Sequence, residues 1–136
     1  MTHQLLWQVL DAQQANATLT GASLRSAAEA LVCATDARNI LVMAIDLAGE
    51  RIIGAAMSLS DSVRAFDYSQ AFPSGVVCLL VGGIVVGPIG IANAAEAVVA
   101  AGATRVEVAT LTTWTEPIRN VDEFRSLESR RHAQVA

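Results

Sequence analysis

The sequence predicts an α/β fold, in which a small and mostly parallel sheet is flanked by helices. Residues 76–111 contain an apolar run of strand length at 76–81, then an apolar segment of helical length and a second apolar run. Residues 40–45 form another apolar run, and a segment of helical length follows it. Strands joined through a helix lie parallel, and a parallel sheet is covered on both faces. This explains why the strands and the helices are equally apolar.

The stretch after the apolar run at 76–81 has the turn signals of a strand–helix–strand unit. The strand ends at Gly82 and Gly83, which form a turn. Residues 91–101 have the apolar pattern of a helix, Gly87 and Pro88 stand where that helix should begin, and Gly102 suits the left-handed cap that ends many helices. The second strand is predicted over residues 105–111. We therefore expect the two strands of this unit to be parallel.

The remaining elements complete a single predicted domain. Amino-terminal helices are expected within about residues 4–32, the first at 4–14, and the sheet core is expected within about residues 40–111. A helix over residues 51–60 follows the first strand, and a terminal helix is expected at about residues 121–131. The amino-terminal helices are expected to cover the sheet or to pair with a second subunit.

Composition limits the classes of function. The chain has 136 residues, which is the size of one domain, and its net charge is −4 with no lysine. An acidic chain lacks the basic face that nucleic acid needs, and lysine-based chemistry is excluded. No apolar run is long enough to span a membrane, and no signal peptide is recognised, so a cytoplasmic location is expected. The high apolar content, 53%, predicts a homo-oligomer, most simply a dimer.

The residues that usually bind metals are few. Cys33 and Cys78 lie far apart in apolar segments and are expected to be small buried side chains. His3 and His132 lie near the two ends of the sequence. The sequence therefore predicts no metal site.

One family resemblance is carried by residues 78–81 (CLLV) and 94–111 (AAEAVVAAGATRVEVATL). They resemble the core of a type I phosphoribosyltransferase, whose signature is an apolar strand, two adjacent acidic residues, and a Thr/Gly-rich loop that leads into a helix. The resemblance implies a phosphoribosyltransferase-like fold. Gly82 and Gly83 stand at the positions of the two acids, and residues 84–90 stand at the position of the loop.

The missing acids decide the function that the resemblance implies. In the family they hold the ribose hydroxyls, directly or through magnesium and water, whereas glycine supplies no side-chain oxygen. We therefore expect a phosphoribosyltransferase-like protein that has lost catalysis, has no cofactor, and acts by binding itself, a protein partner or a small anion. The alternative is an active phosphoribosyltransferase that uses a 5-phosphoribosyl diphosphate donor and magnesium with non-standard ligands.

Candidate ligand-binding residues follow the two apolar strands. Asp46 and Gly49 preserve part of the family's pyrophosphate loop, although Asp46 also suits a turn or a helix cap. Bare N–H groups near Gly87 and Gly90 lie where a helix begins, and a small anion could bind there. The candidate set is Asp46, Gly49, Gly82, Gly83, Gly87 and Gly90.

Three further features bear on a site. Trp114 and Glu116 follow the last core strand and are candidates for the rim of a pocket. Residues 60–75 have room for one short strand, at about 63–68, but not for a lid as well. The glycines do not keep the G-x-G-x-x-G spacing of a dinucleotide site, and Glu107 lies within a predicted strand rather than at its end.

Overall fold

The computed structural model describes residues 19–67, 70–83, 88–111 and 116–127. Its sheet has four strands in the order β1-β2-β3-β4, and every neighbouring pair is parallel. The predicted α/β fold is therefore confirmed. In chain order the elements are α1 (Gly21–Thr35), β1 (Ile40–Ala44), α2 (Leu47–Leu59), β2 (Val77–Gly82), α3 (Pro88–Ala100), β3 (Val106–Thr110) and β4 (Glu123–Ser126).

A short segment extends the sheet beyond β1. Ala65 forms an isolated parallel bridge with Val42, whose N–H donates to the carbonyl of Arg64 and whose carbonyl accepts from the N–H of Phe66. If this segment is counted as the second strand of the chain, the spatial order is second, first, third, fourth, fifth. That is a doubly wound order, and its direction reverses between β1 and β2. The predicted strand at 63–68 is thus reduced to one bridge, and Tyr68 lies outside the described residues.

Helices cover both faces of the sheet, as predicted. On one face α1 and α2 pack over Val42, Leu79 and Val81, all fully buried. On the other face α3 packs over a second apolar cluster that includes Leu80 and Val108. Adjacent residues of a strand point to opposite faces, so an almost continuously apolar strand is what two covered faces require.

Capping residues set where α1 and α2 begin. Thr20 caps α1 in a capping box with Ser23, and the helix runs to Thr35, three residues beyond the predicted end. Helix α2 begins at Leu47, not at residue 51, because the side chain of Asp46 caps it. The predicted helix at 4–14 lies outside the described residues.

Proline and glycine bound α3 in the way that the sequence predicts. Pro88 is its first residue, and Gly102 follows its end with φ +119°, in the region that favours glycine. The helix therefore begins where Pro88 predicts it.

The terminal helix predicted at about residues 121–131 is wrong over the described residues, which end at 127. Residues 123–126 form β4, which pairs with β3. Phe124 and Leu127 have a helical spacing, but the strand places Glu123 and Arg125 on one face with charged partners and packs Phe124 against the apolar cluster on the other face. No helix in the described parts of the chain is long and apolar enough to cross a membrane.

Candidate functional site

The reversal of strand order places a crevice between the carboxyl ends of β1 and β2, where ligands bind in open α/β sheets. Asp46 follows β1, and Gly82 and Gly83 lie at the end of β2. The Asp46 Oδ1 accepts from the N–H of Gly49 at 2.7 Å, and its Oδ2 accepts from the N–H of Gly83 at 3.0 Å. The carboxylate of Asp46 therefore joins the start of α2 to the turn after β2 at this point.

Close packing explains the glycine at position 49. A Cβ atom there would collide with the backbone carbonyl oxygen of Val81, which itself accepts from the N–H of Ile45 at 2.9 Å. Gly49 thus lets the first turn of α2 approach the backbone of β2. This contact serves the packing of α2 on β2.

Packing also explains the glycine at position 82, at the end of β2. A Cβ atom at Gly82 would lie 2.6 Å from Cγ1 of Ile45 and 3.2 Å from Oδ2 of Asp46. An acidic side chain here would displace Ile45 and repel the carboxylate of Asp46. The carbonyl of Gly83 accepts from the N–H of Leu111 at 2.9 Å, so the turn is also tied to the end of β3.

The other candidate residues do not join this group. Gly90 lies in the first turn of α3, is exposed, and has open space where a Cβ would stand. Glu116 is exposed. Gly87 and Trp114 lie outside the residues that the structure describes. The structure therefore brings together Asp46, Gly49, Gly82 and Gly83, and it leaves Gly90 at a separate, open helix terminus.

A buried charge cluster lies toward the amino end of β3, and the sequence did not predict it. Glu107 is fully buried, and it accepts from Arg38 at 2.6 Å, from Arg105 at 3.0 Å and from Arg125 at 2.8 Å. Burial alone would raise the pKa of Glu107, but the hydrogen bonds from these arginines lower it to about 2. Its charge is thus satisfied within the chain.

The position of this cluster argues for a structural role. It lies at the end of the sheet opposite Asp46, away from the edge at which open α/β sheets bind ligands. It ties the turn before β1 to β3 and β4 through side chains that are far apart in sequence. A polar residue inside a predicted apolar strand was the only sequence signal for it, and the three arginines could not be assigned to it.

The two cysteines differ in their surroundings. Cys78 is buried in β2 as expected, and burial raises its pKa to about 12. Cys33, on α1, is exposed, which corrects the expectation that both thiols are buried. Its place in an apolar segment was misleading, because α1 buries Ala27, Ala28 and Leu31 on a stripe that excludes residue 33.

A cleft of about 330 Å³ lies beside β1, between α2 and the bridged segment. Ile53, Gly54 and Met57 line it from α2, Phe66 lines it from the other side, and Glu50 is its charged residue. The volume is at the lower end of the range for small-molecule sites. No group of three or more His, Cys, Asp or Glu residues that could hold a metal ion occurs in the described ranges.

These features define an α/β protein with a small parallel sheet, in which an aspartate after β1 is hydrogen-bonded to the turn after β2. No protein-family model, curated protein or solved structure matches the chain.

Proposed function

We propose that this chain is a phosphoribosyltransferase-like protein that has lost catalysis and acts by binding itself, a protein partner or a small anion. The observation that carries the proposal is the hydrogen bonding of the Asp46 carboxylate between the ends of β1 and β2. The N–H groups of Gly49 and Gly83, which a bound diphosphate would need, already donate to the carboxylate of Asp46. An internal carboxylate also repels an incoming phosphate, because both are negative.

The packing at Gly82 supports the same proposal. If glycine had simply replaced an acid at position 82, the space for the acidic side chain should remain. Here the side chain of Ile45 occupies that space. Restoring an acid at position 82 would therefore require a change at Ile45 as well.

The amino terminus of α3 is a place where a small anion could bind. Helix α3 has 13 residues, and its amino terminus carries the partial positive charge of the helix dipole. Gly90 is exposed in its first turn. This arm of the proposal predicts an anion that binds without magnesium.

Calorimetry on the full-length chain tests the proposal. Phosphoribosyl diphosphate is titrated with and without magnesium, and inorganic phosphate is titrated separately. We expect no magnesium-dependent heat. Magnesium-dependent binding of the activated sugar would overturn the proposal and favour the alternative, an active phosphoribosyltransferase with non-standard ligands.

A further inference from the structure

Strand β4 forms one edge of the sheet. It pairs with β3 on one side, and no described residue pairs with its other side. An edge strand presents unpaired N–H and C=O groups, which can pair with another chain. At the other end of the sheet, the bridge at Ala65 partly covers β1.

The charges on β4 do not give this edge a net repulsion. Glu123 and Arg125 form an ion pair at 3.2 Å, and their side chains are 44% and 32% exposed. The strand contains neither lysine nor proline, two of the residues that commonly block an edge. The ion pair leaves the edge close to neutral, and no described residue forms a strand beside it.

The order of residues along β4 suits a second copy of itself. We propose that two chains pair antiparallel through β4 about a two-fold axis at Phe124. Directly opposite residues then face the same side of the sheet. This register places Glu123 of each copy opposite Arg125 of the other and Phe124 opposite Phe124, so both charge pairs are complementary.

The neighbouring registers that keep the same faces are unfavourable. A two-fold axis at Arg125 would place two arginines opposite each other, and an axis at Glu123 would place two glutamates opposite each other. The guanidinium of Arg125 is already held by Glu107 at 2.8 Å, so it is oriented before the partner arrives. Pairing would join two four-stranded sheets into one continuous sheet.

This inference rests on one part of the proposed function, namely that the chain binds a second copy of itself. Its test measures assembly and not ligand heat, so the two can fail separately. A dimer could form while the activated sugar also binds with magnesium, and a monomer could still bind an anion.

Cross-linking tests the register. Cysteine is placed at Phe124 in one variant and at Ser126 in another, both in a Cys33→Ser background because Cys33 is exposed. Two cysteines at position 124 would face each other, whereas two at position 126 would lie four residues out of register, beyond disulfide reach. We expect Phe124→Cys to give a covalent dimer on mild oxidation and Ser126→Cys to give none. Equal cross-linking of the two variants would overturn the register.

Analytical ultracentrifugation of the 136-residue chain without introduced cysteines provides a second test. We expect the wild type to dimerise with rising concentration and Glu123→Lys to weaken the dimer at least about tenfold, because lysine would then oppose Arg125. Glu29→Lys is the matched control, since Glu29 is an exposed, ion-paired glutamate on α1. Far-UV circular dichroism checks that each variant is folded. A wild type that stays monomeric at high concentration, or a dimer that Glu123→Lys leaves unchanged, would overturn the proposal.

Discussion

The carboxylate of Asp46 accepts a hydrogen bond from the backbone N–H of Gly83, 37 residues further along the chain, at 3.0 Å. The same side chain caps α2 by accepting from the N–H of Gly49. One aspartate therefore begins a helix and also fixes the turn after the neighbouring strand. Both roles depend on the carboxylate oxygens, so they can be removed together.

Replacing Asp46 by alanine should lower the free energy of unfolding by about 3 kcal/mol. A lost cap costs about 1 kcal/mol, and an N–H group left without an acceptor costs about 1–3 kcal/mol. Asp46→Asn keeps one acceptor oxygen, and since Oδ1 lies within 3.2 Å of the N–H of Gly83 as well as bonding that of Gly49, this variant should cost at most about 1 kcal/mol. Urea unfolding monitored by circular dichroism measures both variants. An alanine variant as stable as the wild type would show that these hydrogen bonds do not stabilise the fold.

The Asp46→Ala variant should also gain a response to anions. Without the carboxylate, the N–H groups of Gly49 and Gly83 can donate to a phosphate at the start of α2. We expect inorganic pyrophosphate to raise the melting temperature of Asp46→Ala and to leave that of the wild type and of Asp46→Asn unchanged. A matched concentration of sodium chloride controls for ionic strength. A shift of the same size in all three proteins would mean that Asp46 does not occupy an anion position.

Two glycines of α2 should respond in opposite directions to the same substitution. Gly49→Ala would push a Cβ into the carbonyl of Val81, whereas Gly54→Ala would meet nothing within 4 Å. We expect Gly54→Ala to raise the free energy of unfolding by up to about 1 kcal/mol, the usual difference in helix propensity. Gly49→Ala should lower it by more than about 2 kcal/mol, because backbone must move. Comparable effects of the two substitutions in urea unfolding would contradict the close approach of α2 to β2.

Sequence patterns predicted the parts of this fold that depend on local order. Apolar runs located β1 and β2, and Gly102 marked the end of α3, because burial and backbone freedom leave a direct trace in the residues concerned. Strand β4 was missed because its four residues, Glu-Phe-Arg-Ser, have no decisive period, and only pairing with β3 makes them a strand. Tertiary context decides such short segments.

The candidate site, like the fold, could be predicted from the sequence only in part. Asp46 was recognised as a residue at the end of a strand, and a helix cap was one of its expected roles. Its bond to Gly83 could not be predicted, because it depends on how closely two strands approach. The contacts of Glu107 with Arg38 and Arg125 join residues separated by 69 and 18 positions, and no spacing rule connects them.

Glu107 should make the stability of the chain sensitive to acid. Its pKa falls from the ordinary 4.5 to about 2 in the folded protein, so the folded state binds this proton less readily than the unfolded state. The stabilisation is fully present above the ordinary value and is lost as the pH falls toward 2. The shift corresponds to about 3 kcal/mol. We therefore expect the free energy of unfolding to fall more steeply between pH 5 and pH 2 in the wild type than in Glu107→Gln, as measured by urea unfolding at each pH.

The control for this prediction is Glu96→Gln, since Glu96 is an exposed residue of α3. That variant should keep the pH dependence of the wild type. Glu107→Gln should also be less stable than the wild type at pH 7 by about 3 kcal/mol, because three arginines lose their shared carboxylate. A Glu107→Gln curve parallel to that of the wild type would show that Glu107 is not the group that titrates.

The two thiols should react at very different rates in the native protein. Cys33 is exposed on α1, whereas Cys78 is fully buried in β2, where burial raises its pKa to about 12. The thiolate is the reactive form, so Cys78 is protected both by its low thiolate content and by the sheet. We expect a thiol reagent at pH 8 to modify one cysteine rapidly and the second only after urea is added. In Cys33→Ser the rapid phase should vanish, and the slow phase should then report the opening of β2. Rapid modification of Cys78 in native Cys33→Ser would mean that the sheet opens at its centre under native conditions.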